Sequence, residues 1–252
     1  MLSCIVVPHF DHVGQFRPLL RQLVKLHLPL IVVDDGSPDA VFAALQDLLQ
    51  SEAPGTILIR HEANLGKGGA MITGLKAARS SGFTHALQID ADGQHDAGSL
   101  PDLLREADRN PDHIICGQAV FGQQAPSIRY YARYLTLYFC WLETLSTKIR
   151  DALCGFRAYP LDRVVELIDA SPVGTRMAFD PEILVRACWA GIPITYLPVK
   201  VLYPPGGRSH FHYFRDNVEI TWMHTRLVFG MLARLPRLLR QRVNGPAVRR
   251  IP

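Results

Sequence analysis

The stretch LQIDADGQHD, residues 87–96, contains a short apolar strand that runs directly into carboxylates. Asp90 and Asp92 stand at alternate positions, and alternate residues of a strand share one face. Two carboxylates held this close repel each other unless they share a cation, and oxygen ligands favour Mg²⁺ or Mn²⁺ over zinc. The stretch therefore predicts a divalent-cation site at a strand end. A turn of acids that caps the following helix is the alternative.

Strand-like and helix-like segments alternate outward from this stretch. Apolar runs of strand length are followed by longer segments with apolar residues at helical spacing. Because the strands are apolar almost throughout, both faces of the sheet should be covered, which predicts an α/β fold with a mostly parallel central sheet flanked by helices. The predicted strands are 3–8, 29–35, 56–60, 85–90, 113–117 and 194–201. The predicted helices are 13–26, 40–50, 68–80, 98–107, 129–147, 162–169 and 181–190.

Polar residues mark three of the predicted strand ends. They are residues 8–11 (PHFD), 34–37 (DDGS) and 90–96 (DADGQHD). Ligands of parallel α/β sheets bind at the carboxyl ends of strands, so these segments should converge on one crevice. An acid in residues 34–37 can accept a hydrogen bond from a ribose hydroxyl or a base N–H; a plain Asp-Gly turn is the alternative.

The sequence NLGKGGA, residues 64–70, opens a predicted helix. Backbone N–H groups at a glycine-rich helix start, together with Lys67, make a site for a phosphate or a sugar hydroxyl. A loose loop is the alternative, because G-K-G-G matches neither the Walker loop nor G-x-G-x-x-G.

Composition limits the class of protein. The chain has 252 residues, of which 48% are hydrophobic and 20% charged, enough for one globular domain or one and a half. Five scattered cysteines without a C-x-x-C pair indicate neither a disulfide framework nor a zinc site. No run is long enough to span a membrane and no signal peptide is evident, so we expect a cytoplasmic protein. We expect no nucleic-acid partner.

The order of the marked segments resembles the family-2 inverting glycosyltransferases, especially the dolichol-phosphate-mannose-synthase-like branch. The matching segments are PHFD, VVDDGSP, NLGKGGA and DADGQH, followed by DALCGFRAY, FDPEILVRACWAG and GGRSHF. The resemblance implies a GT-A-type fold that binds a UDP- or GDP-type sugar donor. The predicted glycosyltransferase domain is 1–225, with a nucleotide-sugar-binding half, 1–117, and an acceptor half, 118–225.

The resemblance also implies roles for individual residues. Asp90, Asp92 and Gln94 would ligate Mg²⁺ or Mn²⁺. The residues expected to bind the nucleotide sugar are Pro8, Phe10, Asp11, Asp35, Lys67, Asp90, Arg157, Arg208 and His210. Two segments depart from the family pattern. Asp11 and His12 replace the usual Asn-Glu after the first strand. Downstream, Pro204 and His210 stand where the family has Arg and Lys, so Arg208 would supply the missing positive charge.

The predicted reaction is metal-dependent glycosyl transfer with inversion. A hydroxyl acceptor needs a general base, for which Asp151 is the first candidate and Asp180 and Glu182 are the next; helix capping by Asp180 and surface positions for the other two are the alternatives. A lipid-linked acceptor such as a polyprenyl phosphate needs no base. A sugar nucleotidyltransferase and a catalytically silent nucleotide-sugar-binding protein are the alternative functions.

The C-terminal segment, 226–252, is basic and amphipathic. Its pattern predicts a helix in an anionic membrane interface, at the inner face of the cell membrane, with an interruption at Pro236. A helix packed on its own domain is the alternative. The apolar positions are Leu227, Met231, Leu235, Leu238 and Leu239, and the basic ones Arg226, Arg234, Arg237, Arg240 and Arg242.

Overall fold

The computed structural model describes residues 1–120, 127–200 and 213–244. In this part of the chain one sheet of seven strands has the order β3-β2-β1-β4-β6-β5-β7. The strands are β1 Ser3–His9, β2 Leu30–Asp34, β3 Ile57–Arg60, β4 His85–Gln88, β5 Ile114–Val120, β6 Arg157–Pro160 and β7 Ile194–Lys200. The helices are α1 Val13–Leu23, α2 Asp39–Glu52, α3 Lys67–Ser80, α4 Leu100–Arg109, α5 Ser127–Thr144, α6 Leu161–Ala170, α7 Phe179–Ala190, α8 Tyr213–Ala233 and α9 Leu235–Asn244.

Both faces of the central strands are covered. Successive side chains alternate between two cores: Val6 and Val33 pack with α3 on one face, and Ile5 and Val32 pack with α1 on the other. β1 pairs in parallel with β2 and with β4, and β2 pairs in parallel with β3. The predicted α/β class with a mostly parallel sheet is confirmed.

Strand β6 was missed by the sequence analysis. It runs antiparallel between β4 and β5 and is only four residues long. Its sequence RAYP begins with Arg157 and ends with Pro160, so it lacks the continuous apolar run of the other central strands. Because β6 inserts between β4 and β5, it brings the segment DALCGFRAY beside the loop that follows β4.

The strand order reverses direction at β1, which has β2 on one side and β4 on the other. Ligands of open α/β sheets bind at such a switch point, beyond the carboxyl ends of the strands. β1 ends at His9, β2 ends at Asp34, and β4 leads into Asp90. The three marked strand ends therefore lie along one edge of the sheet.

The predicted domain boundaries do not fall in linkers. The boundary after residue 117 lies inside β5, and the boundary after residue 225 lies inside α8. The five cysteines are all free.

The C-terminal helices use most of their predicted apolar stripe for packing. Leu227, Met231 and Leu238 are buried, Leu235 packs against the same core, and Leu239 is exposed. The prediction that this stripe lies in a membrane interface is therefore wrong, because the stripe faces its own domain.

The predicted break of the C-terminal helix at Pro236 lies elsewhere in the structure. The chain breaks at Arg234, between α8 and α9, and Pro236 lies in the first turn of α9, where a missing N–H is tolerated. Among the described residues, no helix combines the length and apolar character needed to cross a bilayer.

Candidate active site

The loop after β4 carries the two acids of the DAD sequence. Because β4 ends at Gln88, Asp90 and Asp92 lie in a loop, and the prediction that they share a strand face is wrong. Gly93 turns the chain with a φ of +71°, and the N–H of Gln94 donates to Asp92 Oδ1 at 3.0 Å. Asp90 Oδ1 is buried and has no hydrogen-bond partner among the described residues. The loop thus presents carboxylate oxygens whose bonding capacity is incompletely used.

The charges of this loop are poorly compensated. Burial, and then the neighbouring charge of Asp90, raise the pKa of Asp92 above its ordinary value. A raised carboxyl pKa means that the site disfavours a second negative charge. A cation bound here would relieve that cost.

Lys67 supplies one positive charge at this point. It is the first residue of α3, and its Nζ lies 2.8 Å from Asp90 Oδ2 and 2.8 Å from Asp180 Oδ2. Burial alone would lower the pKa of Lys67, but the charges of Asp180 and Asp90 outweigh it and raise this pKa. Burial likewise opposes the ionisation of Asp180, yet Lys67 and then Arg157 hold the pKa of Asp180 below its ordinary value. The three side chains form a charged cluster beside the Asp90 loop.

Arg157 contacts the Asp180 member of this cluster. Its guanidinium is fully buried and donates to the carbonyl oxygens of Ala152, Cys154 and Asp180 at 2.8–2.9 Å. It also lies 3.6 Å from Asp180 Oδ1. With its donors committed to these acceptors, Arg157 positions Asp180 and has no exposed surface for the direct contact with the nucleotide sugar that was expected of it.

Gly155 explains why the segment GFR begins with glycine. A Cβ on Gly155 would collide with Asp90 Oδ2 and Lys67 Nζ. Only a residue without a side chain lets this backbone approach the ion pair so closely. Gly155 is therefore a site residue that the sequence analysis did not select.

His95 is a second missed residue. Its ring centroid lies 5.7 Å from that of Phe156, and its Nδ1 is buried without a hydrogen-bond partner among the described residues. Burial lowers the pKa of His95, although the charges of Asp90 and Asp92 act in the opposite direction. The only sequence signal for His95 was its place directly after Gln94.

The ends of β1 and β2 form a second polar group. His9 Nδ1 lies 3.0 Å from Asp34 Oδ1, and Ser37 donates from its hydroxyl and its N–H to the two oxygens of the same carboxylate. The N–H of Asp11 donates to the Ser37 hydroxyl at 3.0 Å, and Asp11 has a positive φ of +53°. Pro8 and Phe10 lie half-buried beside this network. The network fixes the backbone where the nucleoside is predicted to bind.

Asp35 anchors the start of α3. Its carboxylate accepts from the N–H groups of Leu65 and Gly66 at 2.9 and 2.7 Å, and His61 Nδ1 lies 2.8 Å away. Asp35 is buried in these contacts. The structure therefore places Asp35 under the loop that carries Lys67, and its predicted contact with the nucleoside stays a prediction.

The glycine-rich start of α3 serves close packing. The N–H of Gly66 binds Asp35, and the N–H of Gly69 donates to the carbonyl of Thr175 at 2.6 Å. Gly66 has a φ of +92°, and a Cβ on Gly68 would collide with Phe179. Because protein acceptors already use several of its N–H groups, the expectation that this helix start cradles a phosphate finds no support; Lys67 is its contribution to the site.

Asp151, the first candidate for a general base, is buried and fully engaged. Its two oxygens accept from the N–H groups of Ala119, Leu153 and Cys154 at 3.0–3.1 Å. Arg133 Nη2 adds contacts of 2.9 and 3.0 Å. Asp151 therefore joins β5 and α5 to the segment before β6, and it lacks a free oxygen with which to take a proton.

Glu182 is similarly engaged, on α7. It is fully buried, accepts from the N–H of Gly174 at 2.9 Å, and pairs with Arg186 at 2.6 Å and Arg226 at 3.2 Å. These contacts tie α7 to α8. Of the three candidate bases, the structure brings only Asp180 to the Asp90 loop.

Two predicted residues cannot be placed. Arg208 and His210 lie outside the described residues, so their expected contacts with the nucleotide sugar stay predictions. Gln94 is half-buried in the Asp90 loop, and its predicted role as a metal ligand stays a prediction.

The donor chemistry of the loop fits a hard divalent cation. Carboxylate and amide oxygens suit Mg²⁺ and Mn²⁺, and the buried oxygen of Asp90 without a partner needs a positive neighbour. Within the described residues, no three carboxylate, imidazole or thiol side chains form a complete metal cage.

The family model described as glycosyl transferase family 2 matches residues 4–161. The match covers β1 to β6, and so includes the Asp90 loop, Lys67 and Gly155. It ends before Asp180.

Two curated relatives are similar over most of this chain. The polyprenol monophosphomannose synthase of Mycolicibacterium smegmatis is 29% identical over 213 residues, 78% of this chain and 76% of that protein. The undecaprenyl-phosphate mannosyltransferase of Micrococcus luteus is 28% identical over 214 residues, 81% of this chain and 85% of that protein.

A solved structure has the same fold at low identity. A mannosyltransferase from Pyrobaculum calidifontis, in complex with GDP-Man and Mn²⁺, superposes with a TM-score of 0.56 at 14% identity, covering 98% of this chain and 76% of that one. At this identity the likeness concerns the fold, which is the predicted GT-A type.

Proposed function

Because the chain belongs to glycosyltransferase family 2, we propose that it transfers a hexosyl group from a UDP- or GDP-sugar to a polyprenyl phosphate. The transfer proceeds with inversion and depends on Mg²⁺ or Mn²⁺. The family favours this reaction over sugar nucleotidyl transfer. The names of the two curated relatives support the class of acceptor.

The state of the three candidate bases carries the acceptor assignment. Asp151 and Glu182 have their oxygens committed to backbone N–H groups and arginines. Asp180 is held ionised by Lys67 and Arg157, which makes it a weak base. A hydroxyl acceptor needs a base to take its proton, whereas a phosphate monoester is already an anionic nucleophile. The state of these three acids therefore favours a lipid phosphate over an alcohol as the acceptor.

The bond changes of this reaction are balanced without a proton transfer. An oxygen of the acceptor phosphate attacks the anomeric carbon on the face opposite the leaving group. The bond from that carbon to the diphosphate breaks, and the electron pair leaves with the nucleoside diphosphate. One attack of this kind inverts the anomeric configuration.

The proposed roles on the donor side follow from charge. Asp90, Asp92 and Gln94 would hold the divalent cation. When bound, such a cation supplies positive charge that stabilises the departing diphosphate. Lys67 adds a fixed positive charge at the same place, and Asp180, itself positioned by Arg157, holds its ammonium. Preorganised charge of this kind is usually the largest catalytic contribution.

Further contacts with the donor are proposed for residues that the contacts above do not test. Pro8, Phe10, Asp11 and Asp35 would surround the nucleoside, and Arg208 and His210 would approach the diphosphate. The enzyme would act at the inner face of the cell membrane, where its acceptor lipid would be presented.

The test is a paired acceptor assay with the full chain and Mn²⁺. A panel of UDP- and GDP-sugars is offered with a short, water-soluble isoprenyl phosphate or with the corresponding isoprenol. We expect a glycosyl phosphate of inverted anomeric configuration, identified by NMR, and no product from the alcohol. Transfer to the alcohol alone would contradict the acceptor assignment. Sugar-nucleotide synthesis from a sugar phosphate, or donor binding without turnover, would contradict the reaction itself.

A further inference from the structure

Helices α5 and α8 expose large apolar side chains that the core does not use. On α8, Phe214 is 85% exposed, Trp222 62% and Phe229 67%; on α5, Leu135 is 61% exposed and Tyr138 60%. Soluble proteins rarely leave such side chains together in water. The complete set, here named the apolar face, is Tyr134, Leu135, Tyr138, Leu142, Phe214, Val218, Trp222, Phe229 and Leu232.

The residues of the apolar face lie on one side of each helix. In α8 they are spaced at intervals of three, four and seven residues, so they form a single stripe. The opposite side of α8, with Met223 and Leu227, is buried in the core. α5 and α8 pack on each other and both pack on α7. The stripes of α5 and α8 are exposed to solvent.

A shallow groove runs along this stripe of α8. It has a volume of about 600 Å³ and is lined by Phe214, Asn217, Val218, Thr221, Trp222 and Thr225. The groove is thus bordered by aromatic and aliphatic carbon, with only small polar groups between.

Helices α5, α8 and α9 and the residues after α5 expose much positive charge and little negative charge. Within residues 133–150 and 214–240, no carboxylate is fully exposed: Glu143 and Asp216 are buried and Glu219 is half-buried. Six basic side chains are exposed in the same ranges, namely Lys148, Arg150, Arg215, Arg234, Arg237 and Arg240. A second copy of this chain would bring like charges together at this face, whereas an anionic surface complements them.

We infer that the apolar face docks on an anionic lipid bilayer, with its aromatic side chains in the interface and the basic side chains at the headgroups. Tyrosine and tryptophan favour that depth, and basic side chains add attraction to anionic lipids. This inference rests on the proposed function, because docking would bring the enzyme to a polyprenyl-phosphate acceptor. It places membrane contact on α5 and the outer side of α8, and not on the stripe 226–250 that packs into the core.

The test is flotation of the full chain with phosphatidylcholine vesicles that contain about one third phosphatidylglycerol. We expect binding to these vesicles and weaker binding to pure phosphatidylcholine. The double variant Trp222→Ser/Phe229→Ser should lose binding by at least about tenfold, since each exposed aromatic would otherwise be buried in lipid. The matched control is Leu2→Ser/Ile57→Ser, which removes two exposed apolar side chains elsewhere and should bind like the wild type.

Tryptophan fluorescence gives a second measurement. Trp141 and Trp189 donate to carbonyl oxygens inside the protein, at 2.7 and 2.9 Å, while Trp222 is exposed. We expect a blue shift of the emission when anionic vesicles are added, and Trp222→Phe should abolish the shift while retaining binding. No vesicle binding by the wild type, or equal binding by the double serine variant, would overturn the inference. If the wild type formed dimers but bound no vesicles, and the double serine variant formed no dimers, the inference would be overturned: the apolar face would then bind a second copy of this chain.

Failure of the docking and failure of the proposed function are distinguishable. With the short soluble isoprenyl phosphate, the double serine variant should keep wild-type turnover, because it needs no bilayer. With a long-chain polyprenyl phosphate in vesicles, its rate should fall with its binding. Absence of transfer to the soluble phosphate by the wild type would refute the proposed function, whatever the vesicles show.

Discussion

The carboxylates around the Asp90 loop and those of Asp151 and Glu182 differ in how completely they are bonded. Asp90 and Asp180 each keep a buried oxygen without a hydrogen-bond partner among the described residues. Asp151 and Glu182 meet backbone N–H groups and arginines on both oxygens. A buried oxygen without a partner costs free energy, so a ligand that completes its bonding would bind favourably there. Under the proposed function, the comparison separates acids available to a ligand from acids that hold the scaffold.

The largest expected effect tests the ligand side of this comparison. Asp92→Ala should lower kcat/KM on the order of 10³-fold or more, because it removes a carboxylate from the proposed cation site. The fold should persist, with an unchanged or slightly higher Tm, since one of two repelling charges is gone. Turnover with Mn²⁺ measures the loss of kcat/KM, and thermal unfolding measures the Tm. Near-normal turnover of the variant in EDTA would show that the metal assignment is wrong.

For Glu182, which holds the scaffold, we expect the opposite pattern: a loss of stability with little loss of activity. Glu182→Ala should lower the free energy of unfolding by about 3 kcal/mol, because it strands Arg186 and Arg226 and removes the acceptor of the Gly174 N–H. The folded variant should keep a kcat within a few-fold of the wild type. Urea unfolding and steady-state rates below the transition separate these effects. A large loss of kcat with unchanged stability would place Glu182 with the catalytic acids.

Gly155→Ala tests the geometry of the Lys67–Asp90 pair. The added methyl would collide with both charged groups, so we expect a fall in kcat/KM of roughly 10- to 100-fold from the displacement of positioned charge. The control is Gly14→Ala in α1, where a Cβ meets nothing within 4 Å. Equal activity of the two variants would mean that the pair can shift without consequence.

Asp151→Asn should have the smallest effect on the reaction. It exchanges one acceptor oxygen for an NH₂ group facing N–H donors, which should cost about 1–3 kcal/mol of stability. The kcat for a phosphate acceptor should stay within about threefold, since no proton is taken from that acceptor. Chemical denaturation and saturating-donor kinetics are the measurements. A loss on the order of 10²–10⁴ in kcat would restore Asp151 as a general base and favour a hydroxyl acceptor.

The sequence predicted where the candidate site lies, but the contacts of several residues there differ from those expected. Asp90, Asp92 and Lys67 were selected from local patterns, and the structure brings them together. Arg157 was expected at the ligand and is instead buried beneath Asp180. Gly155 and His95 were missed, because a close backbone approach and a buried ring leave no periodic signal in the chain.

The sequence by itself determined the class of fold, the line of strand ends and the family. These follow from local information: apolar runs of strand length, helical spacing, and short motifs in a set order. Periodicity predicts which side of an element is apolar, because that depends only on the geometry of the element.

Only the tertiary structure decided which of these residues meet, and which apolar side of a helix is buried. Lys67 and Asp180 are 113 positions apart, and their contact exists only because α3 and α7 pack together. In α8, one apolar side lies in the core and another faces solvent, although both are apolar in sequence. The physical reason is that burial and ion pairing depend on neighbours distant in the chain, which local pattern does not encode.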